Sequence, residues 1–527
     1  MKVLLTTLNA KYIHTSLALR YLFNYSKEAF SRNITLQEYT INHSSDYILG
    51  EIYKGDFQII CFSCYIWNIA NVLEIVNNLK KIKPEAKIIL GGPEVSFEGK
   101  ALMEEYPEID YIVVGEGEAT FHELLGYLID GRGQVEDIAG ILYRHQTHVK
   151  ENQERELISE LDAIPSPYED KLEGFENKIL YYESSRGCPY NCSYCLSSTI
   201  KGVRFFSIAR VKKDLLRFLD GRVKQVKFVD RTFNAKKRHS LEIMKYLQER
   251  DNGYTNFHFE ITADLLDEEI LDFLSTVREG LFQFEVGVQT TYDKTMMSID
   301  RRVDFRILSD VVRKISTFRN IHLHLDLIAG LPHEDFQRFS LSFNDVYQLK
   351  PEKIQLGFLK LLKGSGIRRD SELHEYIFKA EAPYEILENK YISYGELLKL
   401  KMLEEMVEIY YNSGFFEISI AFILANFYTS PFDFYQNLSE YWEQKGYHHN
   451  AHDKNGYYKI LLDFYEEMGF SMGMLFKEVL KLDYLKQGKT TLPQFFLSVE
   501  IGDFRDRCHR FLQSDENISK YLEDYQG

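Results

Sequence analysis

The stretch Arg186-Gly187-Cys188-Pro189-Tyr190-Asn191-Cys192-Ser193-Tyr194-Cys195 decides how this chain is read. It sets three cysteines at C-x3-C-x2-C spacing directly after an apolar run, residues 179–184, that reads as a strand. Gly187 and Pro189 suit a turn, and a turn lets three thiolates converge on one centre. Soft thiolates select iron–sulfur clusters or zinc. A closed structural site takes four ligands, and no fourth cysteine lies nearby. Three ligands leave one coordination position open, which is what a reactive site requires. The alternative is a structural zinc knob completed by a remote histidine or by Cys508.

Outward from this motif, residues 179–184, 225–230, 257–262, 282–289, 321–329 and 354–361 are expected strands separated by helical stretches. Six βα units make an incomplete barrel, not a closed eight-unit one. Towards the N-terminus, apolar strands are expected at 2–8, 34–40, 58–66, 86–92 and 111–117, with helices at 13–30, 69–82 and 119–129. That alternation implies a doubly wound parallel sheet, Rossmann-like, over residues 1–135. Ligands of such sheets bind beyond the carboxyl ends of the strands. There stand Thr6 to Asn9, Ser63, Tyr65 and Trp67, Gly91-Gly92-Pro93-Glu94, and Gly115-Glu116-Gly117-Glu118.

Residues 136–177 read as a connector with a small hairpin at 141–149 and a rigid Ile164-Pro165-Ser166-Pro167 segment. The barrel spans 178–370. From about 372 the strands disappear, and helical patterns rich in Tyr and Phe (397–411, 458–468, 475–482) mark a mostly α-helical domain over 371–527. The fold class is therefore α/β: a doubly wound sheet, a (βα)6 partial barrel and a helical C-terminal domain.

Composition bounds the function. The 527 residues carry 63 Lys plus Arg against 79 Asp plus Glu, a net charge of −16. That balance argues against broad nucleic-acid or anionic-membrane binding. Six cysteines, at 61, 64, 188, 192, 195 and 508, are too few for a disulfide scaffold, and three of them fall within eight residues, as ligands would. The N-terminus reads as a first strand, not a signal peptide, and no apolar run approaches the length of a membrane span. A cytoplasmic protein is expected. Cys61 and Cys64 lie three apart on a strand, so they point to opposite faces and are expected to be buried free thiols. The spacing of His448, His449 and His452 is metal-like, but their Gly/Asn/Asp-rich surroundings read as a solvated loop.

CPYNCSYC resembles the signature of the radical S-adenosylmethionine (SAM) enzymes. The resemblance implies that Cys188, Cys192 and Cys195 hold a [4Fe–4S] cluster whose remaining iron is chelated by SAM, and that Tyr194 packs near the cluster and adenine. Reduction would cleave SAM to methionine and a 5′-deoxyadenosyl radical. Further elements match in order. Asp230 stands where the family contacts the SAM amino group, although the family's glycine-glycine-glutamate is absent. Glu260 is placed near the ribose or methionine part. Gly287 and Gln289 resemble the "GxQS" element, and Asp326 opens a D-x-I-x-G-x-P element near adenine. Residues 1–135 resemble the cobalamin-binding domain that precedes many such barrels. This implies that Thr6, Asn9, Ser63, Tyr65, Trp67, Gly91, Gly92, Pro93, Glu94, Gly115, Glu116 and Gly117 surround a corrin. The D-x-H-x-x-G motif that supplies a cobalt-ligating histidine is absent, which leaves the lower face of the corrin unassigned. The C-terminal region resembles an aromatic-rich domain of unassigned function found in one branch of these enzymes.

The resemblance implies a cobalamin-dependent radical SAM enzyme that methylates an unactivated carbon through methylcobalamin. Its substrate would be a small molecule or a peptide, and a flavodoxin or ferredoxin type of protein would supply electrons. Two rivals stand beside it: a cobalamin-dependent radical SAM cyclase or rearrangement enzyme without methyl transfer, and a non-catalytic cobalamin- or redox-sensing module with a structural metal knob.

Overall fold

The structure, a computed structural model, describes residues 1–169, 172–200, 202–488, 491–496, 503–514 and 516–518. Parts of the expected C-terminal helical region (489–490, 497–502, 515 and 519–527) lie outside the described residues. The chain forms two compact units, Met1–Glu404 and Glu405–Gly527.

The first unit begins with a seven-stranded sheet. Its strands are β1 (Val3–Asn9), β2 (Ile34–Thr40), β3 (Ile59–Ser63), β4 (Lys87–Gly91), β5 (Tyr111–Val113), β6 (Ile141–His145) and β7 (His148–Glu151), in spatial order β2-β1-β3-β4-β5-β6-β7. The first five are parallel, and β6 and β7 are antiparallel. The hairpin expected in the connector thus joins the sheet and extends it by two strands. β1 and β3 are buried along their whole length because helices cover both faces. Cys61 belongs to the apolar cluster on one side of the sheet and Cys64 to the other. Both thiols are free and buried, and burial pushes both well up. The first helix runs over Leu17–Phe30 and not from 13, because the Ser16 side chain accepts from the Leu19 backbone N–H and caps it there. A helix at Ser45–Gly55 was not expected from the sequence.

The second sheet has order β15-β14-β13-β12-β11-β8, all parallel, with strands β8 (Ile179–Tyr182), β11 (Gln225–Phe228), β12 (Asn256–Ile261), β13 (Phe282–Gln289), β14 (His322–Ala329) and β15 (Lys353–Phe358). In β13 burial alternates strictly. Phe282, Phe284, Val286 and Val288 are buried, while Gln283, Glu285, Gly287 and Gln289 are only half-buried. Alternation in a parallel strand means that one face packs on helices and the other faces an open interior. This is a six-stranded partial barrel with a polar lumen.

Between β8 and β11 lies a two-stranded antiparallel ribbon, β9 (Ser185–Cys188) and β10 (Gly202–Phe205), which carries the first cysteine. The sequence did not suggest it. Nor do strands disappear after 372: β16 (Ile377–Phe378) and β17 (Ile386–Glu388) form a short hairpin, and the boundary between the compact units falls at 404/405. Both strands are too short to show a period.

The second unit is helical, with Glu417–Phe427, Pro431–Lys445, Lys454–Glu467, Gly473–Lys486 and Phe504–Leu512. Its core is aromatic: Trp442, Tyr410, Tyr435, Tyr458 and Tyr465 are fully buried, and Tyr465 stacks on Phe476 at 3.9 Å. Asp483 accepts from the Ile418 and Ser419 backbone N–H groups and from the Ser419 hydroxyl, which closes the N-terminus of the first of these helices. His448 and His449 lie in a short 3-10 turn, and His452 contacts the Tyr447 carbonyl. No helix among the described residues is long and apolar enough to cross a membrane.

Candidate functional site: a cysteine loop at the mouth of the barrel

The cysteine loop leaves β8 at the carboxyl end of the barrel. Gly187 has φ +98°, and a Cβ there would stand 2.1 Å from the Gly202 carbonyl oxygen, so β9 and β10 pair closely only with glycine at this position. The loop is tied down by backbone bonds: Ser193 N–H donates to the Ile299 carbonyl, and Ile367 N–H donates to the Ser193 carbonyl.

Each cysteine sulfur has a polar neighbour, and two of the three neighbours donate to it. Thr232 Oγ1 lies 3.6 Å from Cys188 Sγ, Arg301 Nη1 donates to Cys192 Sγ at 3.7 Å, and Ser197 N–H donates to Cys195 Sγ at 3.4 Å. Donors aimed at the Cys192 and Cys195 sulfurs fit thiolate ligands, whose negative charge they offset. Among the described residues no group of three His, Cys, Asp or Glu could hold a single metal ion. A cuboidal cluster asks for something else, because its cysteines bind different irons and their sulfurs stand apart. Arg301 also donates to the Tyr194 hydroxyl and to the Gly287 carbonyl, so one guanidinium joins the cysteine loop to β13.

At the strand ends, Gln289 sits in the left-handed region (φ +69°) beside a bulge between β13 and β14. Its Oε1 is buried without a protein partner, and so is Asp326 Oδ1 on β14. Buried polar atoms are normally satisfied, so these two fit a ligand that supplies the missing donors. Burial, followed by the nearby Glu285 and Glu260 carboxylates, raises the Asp326 carboxyl well above the usual range. Glu260 is raised by burial and by Glu285. Deeper in the lumen Lys227 bonds Glu285 at 2.9 Å and lies 3.9 Å from Glu260, and His258 lies 3.1 Å from Glu285. Burial opposes ionisation of Glu285, but His258 and Lys227 outweigh it and hold that carboxyl at about 2.

Asp230 is fully buried and already engaged. It accepts from the Ser184 backbone N–H and from the Ser184 and Ser185 hydroxyls at 2.6–2.8 Å. Burial pushes its carboxyl up to about 7 against the pull of those bonds. Its visible work is to fix the turn that leads into the cysteine loop.

The N-terminal sheet gathers its expected residues along one edge. Trp67 is 43% exposed, stacks on Tyr65 at 4.4 Å and 4°, and donates from Nε1 to the Leu8 carbonyl. Thr6 donates to the Gln37 carbonyl and Asn9 to Glu38, while the Ser63 carbonyl accepts from Thr7 and Asn68. Gly92 has φ +108°, and a Cβ there would lie 2.5 Å from the Cys64 carbonyl oxygen. Gly91 bonds the Cys64 N–H through its carbonyl, and Pro93 opens the short helix Pro93–Ser96. Gly115 (φ +76°) faces open space, and Gly117 begins the helix Gly117–Asp130. A flat aromatic pair with one exposed ring, beside glycine turns, fits a large planar ligand.

The carboxylates Glu94 and Glu116 face the barrel. Glu94 is buried, accepts from the Tyr384 hydroxyl, and lies 3.4 Å from Lys363. Glu116 pairs with Arg204 at 2.6 Å and with Arg186 at 3.4 Å. Arg186, Arg204 and Arg301 are the functional residues that sequence reasoning missed. Arg186 stands inside the quoted motif and still gave no signal, because two of its three carboxylate partners, Glu116 and Glu118, lie far away in the chain.

Comparison with known proteins agrees with this arrangement. Three family models match: "B12 binding domain" over residues 3–125, "Radical SAM superfamily" over 182–346, and "Protein of unknown function (DUF4080)" over 372–527. The chain thus carries a region that matches the radical SAM superfamily and one that matches the B12-binding domain. More particularly, it joins those two domains to a third of unknown function. It is 25% identical over 338 residues to the cobalamin-dependent radical SAM methyltransferase TokK of Streptomyces tokunonensis, covering 60% of this chain and 49% of that one. The chain spans about half the length of the curated relatives it matches. Its fold is similar to that of the cobalamin-dependent SAM radical enzyme OxsB solved with aqua-cobalamin and SAM (TM-score 0.63, 15% identity, 97% of this chain and 83% of that one). It is also similar to that of the radical SAM methyltransferase TsrM from Kitasatospora setae solved with cobalamin and a [4Fe–4S] cluster (TM-score 0.60, 17% identity, 71% and 76%).

Proposed function

We propose that this protein is a cobalamin-dependent radical SAM methyltransferase acting on an unactivated carbon of a small molecule or peptide. The observation that carries the reading is the meeting of two sites: the donor-flanked cysteine loop adjoins the glycine turns of the B12-binding sheet through Arg186 and Glu116. When bound, the cluster and corrin supply the electron that cleaves SAM and the carrier for its methyl group.

The residues of the chain hold and orient. Cys188, Cys192 and Cys195 would anchor the cluster. Gln289 and Asp326 would receive polar atoms of SAM with their unpartnered oxygens, with Glu260 beside them. Arg301 holds Tyr194 and Cys192 in place. Tyr65 and Trp67 would lie against the corrin, whose close approach Gly91, Gly92 and Gly115 permit. Abstraction of hydrogen by a free radical needs no acid–base pair from the chain.

The test is anaerobic incubation of the reconstituted protein with reductant, corrinoid and SAM labelled in its methyl group. Transfer of label out of SAM with S-adenosylhomocysteine as coproduct is expected. 5′-Deoxyadenosine alone would point to cyclisation or rearrangement. A protein that turns over no SAM at all would point to the sensing module.

A further inference from the structure

The two glutamate-bearing turns of the B12-binding sheet, Gly91-Gly92-Pro93-Glu94 and Gly115-Glu116-Gly117-Glu118, grip the cysteine loop from two sides. On one side, Arg186 and Arg204 face each other directly across the antiparallel pair β9–β10. Like charges opposed in this way repel. Here they are offset by carboxylates, two of them from the B12-binding domain. Glu116 bonds Arg204 through both oxygens (2.6 and 3.1 Å) and lies 3.4 Å from Arg186, while Glu118 bonds Arg186 at 2.5 Å. Glu183 supplies the third, at 2.8 Å. The Arg186 guanidinium also lies over the Tyr21 ring of the B12-binding domain. The five charged side chains are 6–19% exposed, so solvent screens them weakly.

On the other side, residues 363–368 touch both partners. Ile367 N–H bonds the carbonyl of Ser193, the residue between Cys192 and Tyr194. Lys363 and Tyr384 hold Glu94, Arg368 lies 3.5 Å from Glu98, and the Gly364 backbone lies against the Phe97 ring. The cysteine loop is thus pinned at Arg186, two residues before its first cysteine, and at Ser193, before its last.

Resting on the function proposed above, we infer that Glu116 and Glu94 are positioning residues that set the distance between the cluster and the corrin. They act through Arg186, Arg204 and Lys363 and touch neither cofactor. Two clamps at two points along the loop fix both separation and tilt, which a single contact would leave free to hinge.

The experiment measures the magnetic coupling between the reduced cluster and cob(II)alamin by pulsed electron paramagnetic resonance in the fully loaded protein. Glu116→Gln, Glu94→Gln and the double variant are compared with wild type, with iron, corrinoid and thermal midpoint determined on the same samples. Wild type should give one narrow distance. Each single variant should broaden it, and the double variant should broaden it further, with both cofactors retained. A purely structural role would lower the midpoint and leave the distance of the folded fraction unmoved, and that result would overturn the inference. If the double variant loses a cofactor, Glu116→Asp decides. This variant keeps the charge but withdraws it from Arg204, and an unchanged distance there overturns the inference equally. A wild-type protein that binds no corrinoid would instead refute the proposed function, so the two failures are distinguishable.

Discussion

Replacing Cys188, Cys192 or Cys195 by alanine is expected to abolish reductive cleavage of SAM. Each sulfur has its own polar neighbour: the Thr232 hydroxyl for Cys188, Arg301 for Cys192 and the Ser197 N–H for Cys195. The three are therefore not interchangeable, and a neighbouring thiol cannot take over a lost position. Cys61 and Cys64 are buried on opposite sides of the N-terminal sheet, with thiols that burial keeps protonated. The variants should fold, because the loop keeps its backbone bonds at Ser193, and of the three side chains only Cys192 is buried. The check is iron and sulfide content after anaerobic reconstitution, followed by assay of 5′-deoxyadenosine in the presence of reductant. Full cleavage in any one variant would remove the cluster from that cysteine.

Gly92→Ala is expected to cost about 3 kcal/mol, through left-handed strain and a clash with rigid backbone together. Its φ of +108° disfavours any side chain, and the new Cβ would meet the Cys64 carbonyl at 2.5 Å. That carbonyl belongs to the segment leading to Tyr65 and Trp67, so the displaced atoms are those that would face the corrin. Corrinoid binding should fall sharply while the iron content is preserved, because the cysteine loop belongs to the barrel. Gly115→Ala is the control. It also has positive φ (+76°) but faces open space. It should cost about 1 kcal/mol, the conformational penalty alone. Denaturant midpoints and corrinoid bound per chain measure both. Equal effects of the two substitutions would mean that the close approach at Gly92 is not what shapes this turn.

Much of this architecture can be read in the sequence, and the reason is periodicity. The six barrel strands and the five parallel strands of the first sheet are apolar or alternating runs, and each stands within a few residues of its expected place. The cysteine motif is legible because its chemistry is local. Gln289 and Asp326 could be placed by order along the chain, and the structure adds that each has a buried unpartnered oxygen.

What escaped has long-range causes. Residues 185–188 and 202–205 are short and polar and show no period, so the ribbon that carries Cys188 left no trace. Arg186 looks like a surface residue until Glu118, 68 positions away, is brought to it, and Arg301 meets Tyr194 across 107 positions. Asp230 shows a further limit. Its position at a strand end was readable, but Ser184 and Ser185 occupy its oxygens, and that required coordinates. The family resemblance implies Glu94 and Glu116 as corrin contacts, and the structure adds that their carboxylates turn towards Tyr384, Lys363, Arg204 and Arg186.

On the proposed function one chain holds a [4Fe–4S] cluster and a corrin side by side. The most direct test is the absorption spectrum with iron, sulfide and cobalt analysis of the anaerobically reconstituted, desalted protein. Cluster and corrinoid bands together, with iron, sulfide and cobalt all retained by the same chain, are the predicted result. Zinc without iron, or iron with no retained corrinoid, would contradict it.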